Sequence, residues 1–172
     1  MTAPRARTRR EIKAYRRPRR HKCWNHLVVA PLWPLHGVNL GTLLRTCDAV
    51  GGCMAVPRLP WVPEALDKGN TLRRNPCIHW TSTNAGLWLD RQRADGAYIV
   101  GVELTDESIR LADLPAARGR TVIVLGHEQT GIPPEGLARI DIAVEIPMIG
   151  SGVSLNVAVA GSLVAYKLAG LL

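Results

Sequence analysis

An α/β architecture, a parallel sheet flanked by helices, is what this sequence predicts. Two observations carry it. Short apolar runs rich in β-branched residues alternate with stretches of helical spacing along the chain. One run, Arg120–Leu125 (Arg-Thr-Val-Ile-Val-Leu), is apolar on both faces, the mark of a strand covered on both sides. With 172 residues, 47% of them hydrophobic, the chain fits one domain. It has no Phe, so Leu, Val, Ile and Trp must fill the core.

The elements follow in order. Residues 1–24 form a basic arm, expected to be flexible, and the folded domain is expected over 25–172. His26–Pro31 reads as a buried strand. Leu40, Leu43, Leu44, Cys47 and Val50 share one helical face over residues 39–50, and Gly51-Gly52 stops that helix. Cys53–Val56 is a second strand and Pro63–Gly69 a short helix. Cys77–Thr81 is a strand, Asn84 caps a helix over 85–94, and Ala97–Val102 is a strand. After Arg120–Leu125, Pro134–Arg139 makes one to two helical turns. Ile142–Ile146 is the last strand, and the last helix runs over 154–169 with Ser154 as its cap. That helix is apolar nearly all round, so it needs cover on most sides. Its own sheet offers one wall and a second copy of the chain the other, which predicts a homodimer.

The formal net charge of +8 is unevenly spread. Residues 1–22 hold ten Lys/Arg against one acid, Glu11, and the body is near neutral. Such an arm suits phosphate contacts and counterion release. Its arginines Arg5, Arg7, Arg9, Arg10, Arg16, Arg17, Arg19 and Arg20 are the expected RNA contacts, since guanidinium groups grip phosphate bidentately. No secretory apolar run follows the charges closely. The uncharged stretch between Glu145 and Lys167 is broken by Pro147, Gly150, Gly152 and Asn156, too short for a membrane span. A soluble, cytoplasmic protein is therefore expected. Four cysteines, Cys23, Cys47, Cys53 and Cys77, form no Cys-x-x-Cys. His21, His26 and His79 stand near Cys23 and Cys77, but the spacings match no zinc knuckle, so reduced thiols and no metal are expected.

In parallel α/β sheets ligands sit beyond the carboxyl ends of the strands. Three loops fall there. The first holds Asn39, Gly41 and Arg45, with Asn39 able to cap its helix, Gly41 keeping the first turn slim and Arg45 pointing outward. The second is Gly126-His127-Glu128-Gln129-Thr130-Gly131-Ile132-Pro133. Its glycines have phosphate-loop spacing, but Ile132-Pro133 replaces the Lys and Ser/Thr that a triphosphate site needs. Glu128, flanked by glycines, suits a positive or donor-rich partner. The third runs Ile146-Pro147-Met148 into Ser154-Leu155-Asn156-Val157, with Asn156 projecting from the first helical turn.

Together the three loops resemble the three motifs of the SpoU/TrmH family of the SPOUT methyltransferase superfamily. Asn-x-Gly-x-x-x-Arg matches Asn39, Gly41 and Arg45; Gly-x-Glu-x-x-Gly matches Gly126, Glu128 and Gly131; Ile-Pro-Met followed by Ser-Leu-Asn-Val matches Ile146 through Val157. Departures are His127, where the family often has Asn, and Ala158, where it often has Ser. The resemblance spans roughly residues 25–170. It implies a deep C-terminal trefoil knot, an S-adenosylmethionine (SAM) pocket, and a dimer that completes each active site. The cofactor wall it implies is Val102, Leu125, Gly126, Gly131, Ile146, Met148, Ser154 and Leu155. The catalytic set it implies is Arg45 with Asn39, Glu128, Ser154 and Asn156, the three polar residues Asn39, Glu128 and Asn156 holding Arg45 and the nucleotide in register.

The implied reaction is methyl transfer from SAM to a ribose 2′-hydroxyl of RNA, with tRNA favoured over rRNA because no extra N-terminal substrate domain precedes the motifs. Arg45 is the implied base. Deprotonating an ordinary guanidinium at pH 7 costs roughly 7.5 kcal/mol. Gripping phosphate and stabilising developing charge is therefore an equal alternative role. A base or small-molecule acceptor, or a lapsed RNA-binding protein, are the competing readings.

Overall fold

The computed structural model describes residues 5–15, 23, 26–68, 70–72 and 75–172. The predicted RNA contacts Arg16, Arg17, Arg19 and Arg20 lie outside the described residues. Seven strands form one sheet: β1 (Leu27–Pro31), β2 (Cys53–Pro57), β3 (Ile78–Thr81), β4 (Tyr98–Val102), β5 (Ile109–Arg110), β6 (Thr121–Leu125) and β7 (Ile142–Glu145). Their order is β3-β2-β1-β6-β4-β7-β5, and every pairing is parallel. The helices are α1 (Arg9–Tyr15), α2 (Gly37–Val50), α3 (Val62–Asp67), α4 (Ala85–Ala94), α5 (Pro134–Leu137) and α6 (Val157–Leu168).

The strand pleat sorts the core into two layers. Leu27 and Val29 of β1, Met54 and Val56 of β2, and Ile123 and Leu125 of β6 face α2, α3 and α6. Val28, Ala30, Cys53, Ala55, Val122 and Val124 face the layer that holds Ala85, Trp88 and Leu89 of α4. Every residue of β1, β2 and β6 is buried, as their doubly apolar sequences require. Gly51 ends α2 in the left-handed region, and the Asn84 side chain accepts the Leu87 N–H to cap α4, both as predicted.

Several boundaries differ from expectation. α2 begins two residues before Asn39, behind His36, so Asn39 lies inside the first turn and does not cap it. α6 begins at Val157, and its cap is Asn156, whose side chain accepts the Ala158 and Val159 N–H groups. Ser154 therefore does not cap the last helix; residues 154–156 are still loop, and Asn156 precedes the first turn instead of projecting from it. The two-residue strand β5 and the 3-10 turn Leu111–Asp113 had no signal long enough to predict. Within the arm, Thr8 precedes α1 and exchanges hydrogen bonds with Glu11, a capping box. Arg5 grips the same carboxylate at 2.6 and 3.1 Å. With Thr8, that grip pulls the Glu11 pKa down to about 2. Among the described residues no helix is long and apolar enough to cross a membrane.

Candidate active site

Beyond the carboxyl ends of β4, β6 and β7 the chain encloses a cavity of about 780 Å³. That lies within the roughly 300–1,000 Å³ of small-molecule sites. The strand ends Val102, Leu125 and Val144 line it, together with residues 126–131, 145–148 and 153–157. All eight residues of the predicted cofactor wall are on this lining: Val102, Leu125, Gly126, Gly131, Ile146, Met148, Ser154 and Leu155.

The second loop is a closed turn. The His127 N–H donates to the Gly131 carbonyl at 2.9 Å, and the Gly131 N–H donates back at 2.8 Å. Gly131 has φ of +71°, where a side chain is strained. A methyl group on Gly126 would overlap the backbone of Gly131 and Ile132. Both motif glycines are thus required by the loop folding back on itself. Glu103, just after β4, was missed by the sequence reading. Its carboxylate accepts the Ile132 N–H at 2.8 Å and secures the far end of the turn. The available signal was its position: an acid one residue past the end of an apolar strand.

The turn presents Glu128 to the first loop. Its carboxylate accepts the Leu35 N–H at 2.8 Å, the His36 N–H at 3.0 Å and the Asn39 side-chain amide at 2.9 Å. The donor-rich partner expected for Glu128 is therefore the protein itself. Asn39, buried, uses its other side-chain atom to accept the Asn156 amide at 3.0 Å. Asn156 in turn caps α6. One polar chain, Glu128 to Asn39 to Asn156, braces all three loops. Burial raises the Glu128 pKa, but the hydrogen bonds from Asn39, His36 and Leu35 outweigh it and hold the carboxyl below its usual range. Glu128 is thus a stable anion at neutral pH.

Arg45 stands apart from this constellation. It is exposed on α2, is not on the cavity lining, and its guanidinium donates to the Thr71 hydroxyl. Gly41, four residues earlier, lies against the backbone after α3, where a methyl group would overlap the Lys68 carbonyl oxygen. Three carboxylates, Glu103, Glu128 and Glu145, line the cavity, and among the described residues no Lys or Arg does. On its outer side α6 borders an apolar groove of about 350 Å³ formed with Thr42 of α2, Val159, Leu163 and Tyr166. Of the arm's described arginines, Arg5 is engaged with Glu11 and Arg7 lies over the Tyr15 ring at 4.5 Å; Arg9 and Arg10 are exposed.

Residues 27–166 match the model of the SpoU rRNA Methylase family. The chain is 33% identical over 134 residues to the tRNA (guanosine(18)-2′-O)-methyltransferase of Escherichia coli K12, covering 75% of this chain and 56% of that one. It is 32% identical over 136 residues to the 23S rRNA (guanosine(2553)-2′-O)-methyltransferase RlmP of Bacillus subtilis, covering 77% and 53%. This chain thus spans about half the length of these curated relatives. Its fold also matches the AdoMet-bound rRNA methyltransferase of Sinorhizobium meliloti, with a TM-score of 0.71 and 25% identity over 83% of this chain and 55% of that one.

Proposed function

The chain belongs to the SpoU rRNA Methylase family, and from that premise we propose that it transfers a methyl group from SAM to a ribose 2′-hydroxyl of RNA. One observation carries the reading: the eight cofactor positions that the resemblance implies line a single cavity, and the polar chain Glu128–Asn39–Asn156 fixes the three loops around it. The cavity suits SAM. Apolar strand ends offer surface to the adenosyl group, backbone at 126–131 offers donors and acceptors, and the carboxylates give a negative field for a sulfonium cation. SAM supplies a methyl group already electrophilic through that sulfonium. The protein's task is to align the acceptor oxygen and stabilise the charge that forms as its proton leaves.

In this reading Asn39, Glu128 and Asn156 are positioning residues, Ser154 on the cavity lining serves both the cofactor wall and the catalytic set, and Arg45 is the residue that meets the RNA. Arg45 is off the lining of its own chain's cavity. We therefore assign it to a site completed by a second copy. The groove on α6, with Val159 exposed and Leu163 half-buried beside Thr42, is the surface that copy would cover. The dimer, and the deep trefoil knot implied for the C-terminal third, belong to this proposal.

The basic arm is assigned to the phosphate backbone through Arg5, Arg7, Arg9, Arg10, Arg16, Arg17, Arg19 and Arg20, with cytoplasmic tRNA favoured over rRNA as substrate. Incubating the purified chain with methyl-labelled SAM and either total tRNA or rRNA, then digesting to nucleosides, tests this. A labelled 2′-O-methyl nucleoside from tRNA is expected. A methylated base, or no transfer to either RNA together with no SAM binding by calorimetry, would refute it.

A further inference from the structure

At the opposite end of the sheet, where the strands begin, three cysteines and a histidine converge. Cys53 opens β2, Cys77 immediately precedes β3, and His79 is its second residue. The pleat puts Cys77 and His79 on one face, and the parallel register, Met54 beside Ile78 and Ala55 beside His79, sets Cys53 next to Cys77 on that face. Cys23, from the segment leading into β1, closes the group. Its Sγ lies 3.3 Å from both the Cys77 Sγ and the His79 Nε2, and the Cys77 Sγ lies 3.3 Å from the same nitrogen. One donor atom from each of the four residues falls within 4.8 Å of every other.

We propose that these residues form a structural zinc site. Thiolates about 2.3 Å from a common zinc stand about 3.8 Å apart in a tetrahedron, and this cluster has that scale. Three sulfurs and one imidazole nitrogen are a closed ligand set with no position left for water, which separates it from a catalytic zinc. The sequence spacing argued against a metal because the ligands come from three separate segments, and only the register of β2 and β3 brings them together. Zinc binding would release three thiol protons and leave His79 neutral, coordinating through Nε2. Its structural effect is to join the base of the arginine-rich arm, through Cys23, to the edge of the sheet far from the SAM cavity.

The full-length chain, purified without a histidine tag under reducing conditions, supplied with zinc and then desalted, should hold about one zinc per chain by mass spectrometry of the metal. Cys77→Ser and His79→Ala should each fall below about a tenth of that, while Cys47→Ala, whose buried thiol donates to the Cys53 carbonyl but is not one of the four ligands, keeps it. Titrating the unaltered, metal-stripped chain with cobalt gives a readout that needs no variant: thiolate-to-cobalt charge-transfer absorption saturating at one equivalent is expected. The proposal is overturned if the intact chain takes up neither metal, if Cys77→Ser retains a full equivalent, or if Cys23 and Cys77 are found as a disulfide whose reduction restores no zinc binding. Calorimetry with SAM on the same samples reports on the methyltransferase reading separately.

Discussion

Glu128 condenses the chemistry of the site into one side chain. It gathers three donors, so replacing it by Gln leaves at least one backbone N–H facing an amide NH₂. Glu128→Gln should destabilise the fold by about 1–3 kcal/mol at pH 7. The carboxyl titrates lower in the folded than in the unfolded chain. Its contribution is therefore complete above the unfolded value of about 4.3 and disappears as pH falls through the folded value. Urea unfolding of both proteins should show the gap at pH 7 closing in acid; a gap unchanged down to pH 3 would assign the effect to packing. Arg45 makes the opposite prediction. Exposed and outside the brace, Arg45→Ala should leave stability and SAM affinity intact while lowering methyl transfer at least about 10²-fold. Near-normal turnover would remove it from the mechanism.

Among the elements, α6 is the informative one. Asn156 both caps it and donates to Asn39. Asn156→Ala should cost about 0.5–2 kcal/mol through the cap. Asn156→Asp retains the cap acceptor but cannot donate to Asn39 and places a second carboxylate near Glu128. Stability recovered by Asp without recovered activity would separate the two roles; recovery of both would argue that the brace is dispensable. α2 offers a steric counterpart, since Gly41→Ala drives a methyl into the Lys68 carbonyl, and thermal unfolding should register a loss of about 1–3 kcal/mol.

These elements also mark what the sequence made readable. The buried strands β1, β2 and β6 and the α2 stripe were legible because burial on both faces and 3.6-residue spacing are local patterns. Asn39 and Ser154 were misread as caps because a polar residue near a helix start has that local use by default; for Asn39 only the tertiary neighbours Glu128 and Asn156 reveal the alternative, and for Ser154 a better-placed cap, Asn156, stands two residues on. β5, two residues long, carries no period at all. The residue types of the site were readable as a motif, but the brace that connects them was not, since it exists only once three distant loops meet.

At the scale of the whole molecule the prediction concerns assembly. Val159 and Leu163 border a groove lined mostly by apolar side chains. Leu163→Glu should convert a dimer to monomer in sedimentation, and, if Arg45 acts across the interface, abolish methyl transfer without abolishing SAM binding. Activity retained by a monomeric variant would return Arg45 to its own chain's site.

The brace also sets a schedule. The Asn39–Glu128 bond closes over 89 residues and the Asn156–Asn39 bond over 117. Contacts this distant along the chain form late, after the local helices and the first strand pairs. During synthesis the amino-terminal β1–α2–β2 unit emerges and can pair long before residue 156 leaves the ribosome, but it carries only His36 and Asn39 of the pocket lining, so the pocket itself waits for the later strands. On refolding from denaturant, secondary structure measured by circular dichroism should therefore return in an earlier phase than SAM binding, and the interval between them is the time the chain takes to bring its last loop home.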